Sequence, residues 1–197
     1  MSIDRKVKGL LNKKNGLIRT ADAVNAGISR STLSQLAKDG RIERIAHGQY
    51  IQSGDLPDEL YLLQQRSKKI VFSHETALFL HDMAERTPTK HALTIPSDSK
   101  LSPSLSSGAK IYYVKPELHD MGICELPSKM GNEVIVYNAE RTICDILRSR
   151  NRVESQTVAV AMKIYAARKD QDWRLLSKYA EIFRIIKLLR QYLEVLS

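Results

Sequence analysis

A serine-capped amphipathic helix and a β-hairpin, separated only by Asp39-Gly40, fill residues 29–51, and no other feature restricts the fold so strongly. Leu33, Leu36 and Ala37 share one face of the helix while Arg30, Ser31, Ser34, Gln35 and Lys38 share the other, so one side faces a core. Ser29 stands where an N-cap belongs. From Arg41 to Ile51, apolar and polar residues alternate on both sides of a turn containing Gly48, the pattern of a hairpin. Upstream, Val7, Leu10 and Leu11 make an apolar stripe that Asn15-Gly16 ends. Thr20 reads as the N-cap of a short helix carrying Ala21, Ala23 and Val24, and Asn25-Ala26-Gly27-Ile28 as a tight turn between two helices. Helix, turn, helix and hairpin in this order predict a winged helix-turn-helix.

In such a motif the second helix enters the major groove, about 12 Å wide, with its N-terminal residues nearest the base edges. Arg30, Ser31, Ser34 and Gln35 are therefore candidate base readers: Arg pairs bidentately with guanine, Gln with adenine, and a short hydroxyl permits close approach. Lys38, at the far end, is placed for phosphate. Arg44, His47 and Gln49 near the hairpin tip face the sugar-phosphate backbone or an adjacent minor groove, whereas Ile42, Ile45 and Tyr50 pack on the helices. Arg19, Thr20, Ser29 and Arg41 complete the candidate surface. The alternatives are a solvated helix face, and for His47 a plain turn residue. Charge favours the duplex: of a formal net +9, residues 1–54 carry +6, from ten basic and four acidic side chains.

The remainder predicts an α+β chain. Ser53 to Pro57 reads as a linker and Glu59 to Lys68 as a helix. Strands are expected at 70–72, 92–95, 111–114 and 134–137, and helices at 75–82, 139–148, 153–168 and from 172 to the end, giving a mixed α/β domain that closes in a helical pair. The expected division is a winged helix-turn-helix over 1–54, a linker helix over 55–69 and a C-terminal domain over 70–197. Pro96 to Gly108, rich in Ser and Pro, reads as a mobile loop. No stretch approaches about 18 consecutive apolar residues, so no membrane span is expected. Met1 to Lys14 lacks the apolar core of a secretory leader, which predicts a cytoplasmic protein. Cys124 and Cys144 lack zinc-ligand spacing and read as buried thiols.

Catalytic patterns do not form. His74-Glu75 opens like a zinc-protease helix, but Leu78 stands where the second histidine belongs. Asp98-Ser99-Lys100 resembles the end of a nuclease site, yet lies in the Ser/Pro loop without an obvious second carboxylate. Neither a phosphate-cradling glycine loop nor a nucleophile elbow occurs in the sequence. Arg141 and Asp145 are helical i, i+4 neighbours and read as a pair that fixes the helix against the sheet. No enzyme, cofactor or metal is expected.

The runs Gly16 to Leu36 and Gly40 to Tyr50, followed by Ser73-His74-Glu75-Thr76-Ala77-Leu78 and by Tyr137 to Leu147, resemble in that order the AbiEi antitoxins of the AbiE abortive-infection, type IV toxin-antitoxin systems. The resemblance implies a repressor of its own operon that binds inverted repeats in double-stranded promoter DNA. It also implies an antitoxin that opposes a nucleotidyltransferase-like toxin without a stable complex; separately, a monomer in solution is expected rather than an obligate dimer. Two alternatives remain at this stage: a metal-dependent nuclease positioned by the wing, and a module that holds the toxin directly.

Overall fold

Two sheets organise the chain, a three-stranded one near the N-terminus and a five-stranded one in the remainder. The computed structural model describes residues 3–14 and 16–196. It is a mixed α+β structure whose chain divides into two units, Met1–Leu62 and Leu63–Ser197. Among the described residues no helix is long and apolar enough to cross a membrane.

The first unit runs α1 (Ile3–Lys13), β1 (Leu17–Arg19), α2 (Thr20–Asn25), α3 (Arg30–Lys38), β2 (Ile42–Ala46) and β3 (Gln49–Gln52), and enters α4 (Glu59–Arg66). Its core joins Val7 and Leu11 of α1 to Ile18, Ala23, Ile28, Leu33, Leu36, Ile42 and Tyr50, the expected stripe and helix face. Gly16, at φ +78, takes the left-handed conformation after α1, while its expected companion Asn15 lies outside the described residues.

Three local expectations need correction. β1 was not expected; it pairs antiparallel with β3, Leu17 opposite Ile51, and so makes β3 the central strand in the order β1-β3-β2. Because β1 holds Arg19 extended, Arg19 takes the N-cap position and Thr20 becomes the first helical residue, with no side-chain cap. Helix α2 buries only Ala23; Ala21 and Val24 are exposed, because six residues form too short a helix to turn three of them inward.

The second unit runs β4 (Val71–Phe72), α5 (His74–Leu80), β5 (His91–Pro96), α6 (Pro103–Ser106), β6 (Ala109–Val114), a 3₁₀ turn at Pro116–Leu118, β7 (Ile123–Pro127), β8 (Glu133–Tyr137), α7 (Ala139–Arg148), α8 (Ser155–Ala167), α9 (Trp173–Ile182) and α10 (Ile186–Leu196). The sheet order is β6-β5-β4-β8-β7, with β5/β6 and β4/β8 parallel and the outer β7/β8 and inner β4/β5 pairs antiparallel. Strand β7 went unread because Glu125 and Pro127 break its apolar pattern; an edge strand tolerates both. Cys124 on that edge is only half-buried, against expectation, whereas Cys144 is buried. The Ser/Pro segment forms α6, whose Leu105 is buried, and Ser99 is also buried, so its apolar and hydroxyl groups are anchored.

Helix α7 lies almost wholly inside, capped by the Asn138 side chain, which accepts from the Arg141 N–H at 2.9 Å. Arg141 is fully buried: its Nε donates to Asp145 at 3.0 Å, its Nη1 to the Leu118 and Met121 carbonyls, and its guanidinium lies 4.2 Å from the Tyr137 ring and 4.3 Å from Phe183. Gly122, at φ +78, permits this approach, since an added Cβ would meet the Arg141 Cβ at 2.9 Å. The expected single C-terminal helix is instead two. Arg184 adopts φ +58, its N–H reaches the Glu181 carbonyl, and the Ile185 N–H reaches Ala180 at 2.8 Å, a Schellman closure that ends α9 before α10 begins.

Candidate nucleic-acid interface

Helix α3 starts where Ser29, extended at φ −71 and ψ 159, accepts the Thr32 N–H on its hydroxyl at 3.0 Å. The turn before it closes through the Ile28 N–H on the Ala23 carbonyl at 2.8 Å, with Gly27 at φ +75. Leu33 and Leu36 anchor the inner face, and this holds Arg30, Ser31, Ser34, Gln35 and Lys38 exposed along the outer face. All five sequence-predicted residues of α3 therefore share one surface.

Within that surface the polar groups are not equally committed. The Ser29 hydroxyl lies 2.7 Å from that of Ser31 and 2.8 Å from that of Thr32, forming a hydroxyl cluster at the helix N-terminus. Thr32 was missed by sequence reasoning because it sits between the buried and exposed faces. Gln35 donates to Asp39 at 2.8 Å, so any base contact competes with that bond. Among the described residues, Arg30, Ser34 and Lys38 have no internal side-chain partner.

The hairpin follows directly, with its tip at His47-Gly48 and Gly48 at φ +70. Arg44 and His47 are exposed and touch, Arg44 Nη2 donating to His47 Nδ1 at 3.2 Å. A bulge between Arg44 and Ala46 shifts the register, and Ile45 is only half-buried instead of packed inward. Gln49 departs from its expected place: it is 3% exposed and donates to the Leu62 carbonyl at 3.2 Å, so it is turned away from solvent. Its position in the central strand, with α4 beside it, is the cause. Arg41 is exposed at the base of the hairpin.

Arg19 and Thr20 take supporting places. Arg19 Nε donates to Asp22 at 2.6 Å, which holds the Asp22 carboxyl below its ordinary range, and Lys14 stands 3.8 Å from the same carboxylate. Thr20 binds the Gly48 carbonyl through its N–H at 2.8 Å and its hydroxyl at 3.4 Å, tying α2 to the hairpin tip. An added Cβ on Gly48 would stand 3.3 Å from the Thr20 hydroxyl oxygen. This clasp was invisible in sequence, since it joins positions 28 residues apart through β1.

Both enzyme-like patterns are tied into hydrogen bonds of the second unit. His74 is buried between Ser73 and Ser149, 2.9 and 3.0 Å from their hydroxyls, and the Ser99 hydroxyl accepts from Lys69 and donates to Asp98.

Residues 6–51 match the family described as transcriptional regulator, AbiEi antitoxin. That segment spans α3 and nearly all of the hairpin. No curated protein matches the chain. Among solved structures, the crystal structure of the RV2827C protein from Mycobacterium tuberculosis aligns with a TM-score of 0.55 at 12% sequence identity, covering 95% of this chain and 79% of that one. At that identity the likeness concerns the fold alone.

Proposed function

We propose, proceeding from the likeness of residues 6–51 to AbiEi antitoxin regulators, that this chain is a DNA-binding transcriptional regulator with an antitoxin role in a type IV toxin-antitoxin system. Residues 1–54 serve as a winged helix-turn-helix: α3 is the recognition helix and the β2–β3 hairpin the wing. The chain represses its own operon at inverted repeats and opposes a nucleotidyltransferase-like toxin without a stable complex. It works as a monomer, not as an enzyme.

The observation that carries this reading is the outer face of α3. Arg30, Ser34 and Lys38 are exposed and uncommitted beside the Ser29–Ser31–Thr32 hydroxyl cluster, on a helix anchored by Leu33 and Leu36, with Arg44 and His47 at the adjoining hairpin tip. Such a surface offers bidentate base contacts and phosphate contacts together. Arg30, Ser31, Ser34 and Gln35 read bases; Lys38, Arg41, Arg44 and His47 meet the backbone. Arg19 and Thr20 orient the surface, and Gln49 supports it from within.

Footprinting of the purified chain on the DNA upstream of its own gene tests the reading. Protection of paired repeats, lost on Arg30→Ala, is the expected result. Uniform binding along the fragment, with no preferred site, would sink it. Suppression of toxicity when the chain is co-expressed with the product of the adjacent gene tests the antitoxin role, and co-purification of the two would replace it with direct capture.

A further inference from the structure

The second unit holds an open cavity of about 420 Å³ whose wall joins Glu75 of α5, Lys110 of β6 and Arg152 ahead of α8, a volume within the range of small-ligand sites. Its chemistry is unfinished. Glu75 Oε1 accepts from Lys110 Nζ at 2.6 Å, but Glu75 Oε2 is buried without a hydrogen-bond partner. A buried carboxylate oxygen left unmet is costly, so it points to something that arrives.

The remaining surroundings restrict what that is. Tyr112 is stacked on His74, with ring centroids 3.4 Å apart and planes 9° from parallel, and the exposed Arg152 guanidinium lies 4.3 Å over the Tyr112 ring. Arg152 thus presents a flat, charged platform at the cavity wall. Arg86 and Lys90 line the same cavity. Four basic side chains, Arg86, Lys90, Lys110 and Arg152, outnumber the three carboxylates Glu75, Glu85 and Glu154 on this wall, which disfavours a simple cation, and a simple anion leaves the Glu75 acceptor unmet. The ligand must carry negative charge, donate a hydrogen bond to a carboxylate, and offer a planar face to a guanidinium.

We infer that this cavity binds a nucleoside phosphate, whose base stacks on Arg152 and donates to Glu75 while its phosphate meets Arg86 and Lys90. The inference does not rest on the DNA-binding reading.

Calorimetric titration of the full chain with AMP, GMP, CMP and UMP, with inorganic phosphate and L-glutamate alongside, tests it. The expected result is saturable one-to-one binding of at least one nucleotide, roughly tenfold or more tighter than phosphate or L-glutamate. Arg152→Ala, at an exposed position that leaves the fold intact by its melting curve, should weaken that binding by about tenfold or more, and Glu75→Gln should act likewise. Arg30→Ala should leave it unchanged. Failure of all four nucleotides to bind, equal affinity for phosphate or L-glutamate, indifference to Arg152→Ala, or loss on Arg30→Ala would each overturn the inference.

Discussion

Arg30 and Lys38 stand at opposite ends of one exposed helix face, and the proposed function gives them different duties. Arg30→Ala is expected to cost about 1–3 kcal/mol against one particular base pair, whereas Lys38→Ala should weaken all sequences nearly alike. Competition binding against single-base operator variants separates the two. His74 raises a different point. Burial, reinforced by Lys110, Arg148, Arg141 and Arg152, holds its imidazole well below the ordinary histidine range. The unfolded chain therefore binds a proton below about pH 6.5 that the folded chain refuses, so stability is whole above that pH and falls beneath it by up to about 1.4 kcal/mol per pH unit. His81 shifts the same way, through burial that outweighs its bond to the Tyr137 carbonyl. Asn tolerates the positive φ, +47, that His74 adopts, so His74→Asn should flatten the decline of urea-derived stability between about pH 6.5 and 5. An unchanged slope would rule His74 out as its source. Single residues were legible where exposure followed from helix period, as for Arg30 and Ser34; Gln49 was not, because only the packing of α4 turns it inward.

At the scale of elements, two helix ends make opposite predictions. Ser29→Ala removes the side-chain acceptor of the Thr32 N–H and is expected to destabilise the first unit by about 1 kcal/mol, read from its denaturant midpoint. Arg184, held at φ +58, pays the steric cost of a side chain in the left-handed region. Arg184→Gly should therefore stabilise by about 0.5–1 kcal/mol, measured by the same means, and a loss of stability would show that the Arg184 side chain contributes more than its backbone costs. The long helices and interior strands were readable because their apolar residues repeat with a clear period: α7 was expected at 139–148 and occupies Ala139–Arg148. β1 and β7 were not. Three residues between a glycine and a helix carry no usable period, and β7 owes its existence to the five residue pairs it forms with β8 at the sheet edge.

For the whole molecule, the concentration of charge in residues 1–54 predicts binding that is strongly salt-dependent. The logarithm of operator affinity should fall linearly with the logarithm of salt, at roughly −0.9 per phosphate neutralised, and Arg44→Ala should make that slope shallower by about one. A slope unchanged by Arg44→Ala would place the hairpin tip off the backbone. The two units differ in how much of them could be foreseen. The amino-acid sequence alone determined the helix pair and hairpin, the buried face of Leu33 and Leu36, the capping by Ser29 and the exposed basic face, because each depends on contacts within a few residues of chain. Only the tertiary structure decided that Gln49 is interior, that Thr20 clasps the hairpin tip, that Arg141 is sealed between two rings, and that Glu75, Lys110 and Arg152 share a cavity. Those arrangements join residues far apart along the chain, and neither helical nor strand periodicity records which distant surfaces meet.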